Sequence, residues 1–405
     1  MREIKTAVVG LGARGQSNLK TVLNMKGINI VSVCDVYADR CDEAEQIVFE
    51  KLGTKPFKTT DYKEAINRED VEVVLVFSSW ESHIKIAIYA MECKKTVGME
   101  VGGAESVEEC WELVKTYEKT KSPFMFLENC CYGRNEILVR NLVRDGKFGE
   151  IVHCHGAYAH DLREEVATGK EKRHYRLNHY LNMNCENYPT HELGPIAKIL
   201  DINRGNKMVR LVSMSSKAAG LEQYVNDRKD TIENKDLIGA KFSQGDVVNT
   251  LITCENGATI SLTLDTTLPR SYSREFTVRG TKGMFEENTN SVFMDGDKEE
   301  FETAKLYKEV FNIAKEYEEK FLPDYWKNLT KEEEELGHGG MDWFEFIAFF
   351  DAVRENKPMP IDVYDAASWI CIAPLSAQSI ANGNVPVEIP DFTSGKWKER
   401  ERLDV

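Results

Sequence analysis

The stretch KTAVVGLGARGQ, Lys5 to Gln16, decides how the first part of the chain folds. Ala7, Val8 and Val9 form the short apolar run of a buried strand, and Gly10-Leu11-Gly12-Ala13-Arg14-Gly15 follows at once. A bare GxGxxG is weak evidence, but its surroundings strengthen it. A helix pattern runs from Gly15 to about Met25, and a second strand pattern, Ile28 to Cys34, ends in Asp35, 20 residues after Gly15. Gly10 permits a tight turn, Gly12 lets backbone approach a pyrophosphate, and Gly15 allows close contact between helix and strand. Unpaired N–H groups at Ala13 and Arg14 and the helix dipole attract phosphate. Asp35 accepts from ribose hydroxyls and repels a 2′-phosphate, which favours NAD over NADP, although Arg14 could contact a phosphate of either.

The alternation continues outward. Val71 to Ser79 is an almost unbroken apolar run, and Thr96 to Glu100 and Phe124 to Leu127 also read as strands. Helical patterns fall at Ser82 to Cys93 and Ser106 to Lys121. Strands alternating with helices predict an α/β domain with a doubly wound parallel sheet. Ligands bind at the carboxyl ends of such strands. Ser78, Ser79, His83, Glu100 and Glu128 stand at or just after those ends and join the cofactor and substrate candidates.

After a helix pattern from Tyr132 to Val143 the character changes. Ile151 to His160, Val209 to Met214, Val247 to Cys254, Thr259 to Asp265 and Arg274 to Arg279 read as strands without regular helices between them. CENGATI and RGTKGMF read as hairpin turns. This predicts an α+β domain with a mostly antiparallel sheet, covered by helices at Met341 to Arg354 and Tyr364 to Ser379. The highly charged 300–336 reads as helix or loop. The expected division is a nucleotide domain at 1–129 and a substrate domain at 130–405.

Bulk properties narrow the partners. A net charge of -15 excludes the basic surface of a nucleic-acid binder and disfavours anionic membranes. No run approaches the roughly 20 apolar residues of a membrane span. The opening MREIKTAVVGLG runs directly into a strand, leaving no room for a signal peptide, so a cytoplasmic protein is expected. Ten cysteines without a CxxC pair point to reduced thiols rather than to a zinc or redox motif. An open sheet face in the second domain makes a homo-oligomer, dimer or higher, the expected assembly.

HCHGAYAHD, His153 to Asp161, alternates strictly: Cys154, Gly156, Tyr158 and His160 share one face, His153 and His155 the other. The latter two lack a third ligand at a metal spacing, so no metal is expected. In NCENYPTHELGP, Asn184 to Pro195, Leu193, Ile196, Ala197 and Leu200 form the apolar face of a helix. His191 falls off that face, either as a solvent-facing first-turn residue or as a catalytic one.

GLGARG, Asp35 and the β-rich second half resemble the Gfo/Idh/MocA oxidoreductase superfamily, whose first domain is a Rossmann fold, over essentially the whole chain. The superfamily's Glu-Lys-Pro signature is replaced here by Glu100-Val101-Gly102, so the lysine used for proton handling in ordinary dehydrogenases is missing. LENCCYGR, HCHGAYAHDLR, YPTHELGP, INRG, VSMSSK and GHGGMDW, in this order, are similar to glycoside hydrolase family 109.

That resemblance implies an NAD-dependent glycosidase acting on a small-molecule carbohydrate, an N-acetylhexosaminide and above all an α-N-acetylgalactosaminide. The implied cycle is transient oxidation at C3, elimination across C1–C2, addition of water and re-reduction, a recognised exception to two-carboxylate hydrolysis. It implies Tyr158, His191 and His160 as catalytic residues, and Glu128, Arg176, Tyr188 and His338 as substrate-binding residues, with Asp342 beside them. Glu192 stands where the family more often has glycine. The alternative is a sugar or inositol dehydrogenase with net hydride transfer.

Overall fold

The computed structural model describes residues 2–296 and 311–405. Two compact units emerge: one from residues 1–132, 329–367 and 403–405, the other from 133–328 and 368–402.

In the first unit, β1 (Ile4–Val9), β2 (Ile28–Cys34), β3 (Phe57–Thr59), β4 (Val73–Val76), β5 (Thr96–Glu100) and β6 (Phe124–Leu127) form one parallel sheet in the order β3-β2-β1-β4-β5-β6. This is the doubly wound order of a dinucleotide-binding sheet. The expected 71–79 run shortens to β4, whose four residues Val-Val-Leu-Val are all buried, as helices on both faces require. Ser106 and Glu109 form a reciprocal capping box that starts the helix Val107–Thr120 where its pattern begins. The helix Ala38–Leu52, β3 and the helix Tyr62–Ile66 complete the span between β2 and β4.

The helix Met341–Glu355 was expected over the second sheet and instead belongs to the first unit. Phe346 meets Phe77 edge-on at 6.2 Å, and a Cβ added at Gly98 would lie 3.4 Å from Phe349. Phe346, Phe349 and Phe350 are fully buried, each contributing roughly 2–3 kcal/mol. Further on, the Phe126 N–H donates to Ile361 O at 2.9 Å. The returning chain thus covers the apolar sheet that its phenylalanines fit.

In the second unit, β7 (Ile151–Ala159), β8 (Met208–Ser215), β9 (Val247–Cys254), β10 (Thr259–Asp265), β11 (Thr277–Gly280), β12 (Gly283–Glu286), β13 (Ser291–Met294) and β14 (Val387–Glu388) form a sheet in the order β13-β12-β11-β7-β10-β9-β8-β14. Only β7 and β10 pair in parallel among these strands. Both predicted hairpins are present, β9–β10 and β11–β12. The helices Arg163–Ala167, Arg176–Asn182 and Gly220–Asp227 fall between strands where none were expected, because they are short and polar. The single helix expected over 364–379 breaks at Cys371 into Val363–Ile370 and Ile372–Ala381, and the latter packs on β8, where Ser379 Oγ accepts from Ser213 N at 2.9 Å. Of the charged 300–336 stretch, 300–310 lie outside the described residues, and short helices at Lys315–Phe321, Asp324–Lys327 and Lys331–Glu334 occupy much of the rest. On the face of this sheet away from the helix Thr190–Ile199, Leu251 and Met214 are 60% and 58% exposed.

Candidate functional site

In the first unit, each glycine of the turn after β1 has a distinct geometry. Gly10 has φ +95°, and an added Cβ would meet Phe77 and Ser78 backbone at 2.5 Å. A Cβ on Gly15 would collide with Gly10 O, whereas one on Gly12 would meet only Arg40, at 3.6 Å. Space is therefore left at Gly12 alone, the glycine that must admit a ligand. The helix Ala13–Val22 begins there without a side-chain cap, so its first-turn N–H groups suit an anion. This arrangement fits a dinucleotide.

Asp35 Oδ2 accepts from Leu11 N at 2.7 Å and Oδ1 from Tyr37 N at 3.0 Å, which ties the turn to the end of β2. Arg40 stands 3.6 Å from the same carboxylate. Ser79 precedes the helix Trp80–Glu92 and contacts Ser82 Oγ at 3.1 Å. His83 is fully buried behind Gly102, where an added Cβ would lie 3.0 Å from the imidazole. Glu128 is also fully buried and accepts from Cys130 N at 3.0 Å.

Arg14 is turned toward protein carboxylates. Its Nε donates to Glu100 Oε2 at 3.0 Å, and Nη1 and Nη2 reach Asp342, the latter at 3.2 Å. His338 lies in the same cluster, with Nδ1 3.0 Å from Asp342 and 3.1 Å from Arg14. Glu100 also accepts from Asn18 Nδ2 at 2.9 Å and Val101 N at 3.2 Å. Asp342 is held well below the carboxylate range: burial opposes this, and Arg14 and His338 overcome it.

The second unit gathers the tyrosines and histidines. Tyr158 and His160 come from the end of β7 and the residue beyond it. Arg176 opens the helix Arg176–Asn182, while Tyr188 and His191 flank Pro189 at the start of the helix Thr190–Ile199. Tyr158 Oη lies 3.5 Å from His160 Nδ1, and Tyr188 Oη 3.4 Å from His191 Nε2. The two phenol rings are 4.5 Å apart, and the Arg176 guanidinium lies 5.0 Å from the Tyr188 ring centre and 5.8 Å from that of Tyr158. Glu165 anchors Arg176 at 2.9 Å. The site is thus two tyrosine–histidine pairs under one arginine.

Burial pushes the Tyr158 phenol up to about 12, although Arg176 pulls the other way. Tyr158 therefore carries its proton at neutral pH. Burial and Arg176 lower His160, keeping it neutral and able to accept a proton. His153 and His155 take other partners on the opposite sheet face, Thr259 at 2.9 Å and Ser261 at 2.8 Å.

His191 is not on a solvent face. All ten residues of Thr190–Ile199 are buried, because β7, β10 and the helix Arg134–Arg144 enclose this helix on several sides. Glu192 is buried too, and a Cβ on Gly156 would come 2.6 Å from its Cβ, so it leans on the face of β7 that carries Tyr158. Sequence reasoning missed Glu165, Tyr272 and Glu186. Tyr272 stacks edge-on against His160 at 5.2 Å and is 51% exposed. Glu186 is fully buried two residues before Tyr188, and the signal available in the sequence was a carboxylate set between Cys185 and Asn187 just ahead of the Tyr188–His191 run. All ten cysteines are free thiols. Among the described residues no helix is long and apolar enough to cross a membrane.

Residues 4–127 match the oxidoreductase family with an NAD-binding Rossmann fold, and 132–399 match the C-terminal domain of glycosyl hydrolase 109. A glycosyl hydrolase family 109 protein of Solibacter usitatus is 38% identical over 98% of this chain and 90% of its own. An α-N-acetylgalactosaminidase of Tannerella forsythia is 35% identical over 98% and 88%. Among solved structures, levoglucosan dehydrogenase with NADH and levoglucosan aligns with a TM-score of 0.71 at 19% identity, covering 96% of this chain and all of that one. Scyllo-inositol dehydrogenase of Lactobacillus casei gives 0.63 at 14%, over 96% and 99%. These two likenesses concern the fold.

Proposed function

Because the chain belongs to glycosyl hydrolase family 109 and is an NAD-dependent enzyme of the Gfo/Idh/MocA superfamily, we propose that its substrate is an α-N-acetylgalactosaminide and that the two tyrosine–histidine pairs carry the proton transfers. The observation that carries this reading is the convergence of Tyr158, His160, Tyr188 and His191 beneath Arg176. The first unit is the nucleotide domain and the second the sugar domain. NAD would be held at Gly10, Gly12, Ala13, Gly15 and Asp35, where it would supply reversible hydride acceptance.

The residues then have separable tasks. Elimination across C1–C2 needs a proton accepted at the C3 hydroxyl, one removed from C2 and one given to the leaving oxygen. Tyr158 with neutral His160 behind it forms a relay: the phenol passes its proton to His160 Nδ1 as it accepts one from the sugar. Tyr188 and His191 form the second relay and serve the other position. Arg176 stabilises a phenolate in either pair and binds the sugar. At 3.4–3.5 Å each pair is within reach of the shorter approach that proton transfer requires. Glu128 and His338 are assigned to the sugar on family correspondence. The open face of the second sheet supports assembly of two or more copies.

The test is hydrolysis of nitrophenyl α-N-acetylgalactosaminide in deuterated water. Aglycone release with deuterium at C2 and no accumulation of NADH supports the proposal. Steady NADH production without aglycone release would instead identify a sugar dehydrogenase.

A further inference from the structure

The GHGGMDW motif, Gly337 to Trp343, has no task in the proton relays. Its backbone is unusual: Gly337, His338, Gly339 and Gly340 have φ of +99°, +42°, +65° and +95° in succession. His338 is a non-glycine residue in the left-handed region, a conformation that persists only where its surroundings enforce it. The turn closes on one side chain, since a Cβ on Gly337 would collide with the Asp342 carboxylate.

Asp342 is fully buried and joins three segments of the first unit. It accepts from Arg14 in the nucleotide turn, from Asn129 Nδ2 after β6 at 2.6 Å, and contacts His338. Arg14 is held from its other edge by Glu100 at the end of β5. Three of its donor nitrogens are therefore committed to protein carboxylates, and its charge is neutralised before any phosphate arrives. Glu345, one turn further along the helix, does not compete. Burial and the nearby Glu100 and Asp342 hold its carboxyl well above its usual range, so it stays protonated.

We propose that Asp342 is a positioning residue for the cofactor, fixing Arg14 and through it the Gly10–Gly15 turn in the form that retains the dinucleotide. The backbone N–H groups would contact phosphate, and the buried Glu100–Arg14–Asp342 bridge would hold them still. This rests on dinucleotide binding and not on the sugar reaction, so its failure leaves the glycosidase reading intact.

The experiment loads the full-length protein with NADH, adds excess NAD+ and follows the loss of bound-nicotinamide fluorescence. D342N and R14Q should each release NADH roughly tenfold faster or more, and the double variant should be no faster than the faster single, as expected for groups that act through one another. Release from D342N at the original rate or more slowly would overturn the proposal, because an Arg14 freed to bind phosphate would tighten retention. Single effects that multiply in the double variant would overturn it as well. If D342N does not fold, R14Q alone decides, and unchanged release from folded R14Q refutes the bridge.

Discussion

Glu186 sits in the segment that delivers Tyr188 and His191 and is fully buried. Its backbone N–H donates to Ser376 Oγ at 2.6 Å, while its carboxylate oxygens have no hydrogen-bond partner among the described residues. Burial pushes the carboxyl from 4.5 up to about 8. The unfolded chain releases this proton near pH 4.5 and the folded chain keeps it to about 8, so between those values the folded state binds more protons. Stability therefore falls as pH rises through that window, by up to about 1.4 kcal/mol per unit, and the loss is complete above it. The full penalty is of order 3–5 kcal/mol, a large share of ordinary domain stability. Glu186→Gln removes the ionisation and adds a constant offset of about 1–3 kcal/mol for its unpaired amide. Urea denaturation of both proteins from pH 5 to 9 should show the variant gaining on the parent by several kcal/mol as pH rises. The alkaline decline in activity, where the segment holding Tyr188 and His191 loosens, should weaken in parallel. A stability difference that stays constant across pH 5–9 would refute the reasoning, since the carboxyl would then titrate alike in both states.

Three further outcomes follow from the same geometry. Gly12→Ala should leave the stability of the nucleotide-free protein within about 0.5 kcal/mol of the parent yet abolish NADH binding, whereas Gly10→Ala should lose both, because Gly10 has positive φ and backbone where its Cβ would go. Calorimetry and NADH fluorescence separate the two. Tyr158→Phe should lower kcat by roughly 10²- to 10⁴-fold while circular dichroism and nucleotide content are unchanged, as expected for loss of a proton-transfer group. Arg176→Met should lower activity by about tenfold or more and move the acidic limb of its pH profile upward, because Arg176 helps to hold His160 below its ordinary range. An acidic limb that stays in place would show that His160 is not the group titrating.

Local pattern alone determined the parallel sheet and its nucleotide turn, because consecutive segments carry everything that turn needs: an apolar strand, three glycines, a helix start and an acid at the end of the next strand. The strand alternation of β7 likewise put Tyr158 on the face of Gly156, where the helix bearing His191 now rests. Tertiary structure decided what local periodicity cannot carry. His191 fell off the apolar face of its own helix, and burial came from elements distant in sequence. By position in the sequence Arg14 suits a phosphate role, and only the fold brings Asp342, 328 residues away, beside it. The helix Met341–Glu355 carries the same apolar pattern whichever sheet it covers, and only long-range packing of Phe346 and Phe349 assigned it to the first. Side-chain spacing sets which residues share a face, but partners and pKa values depend on charges and burial supplied by the folded whole.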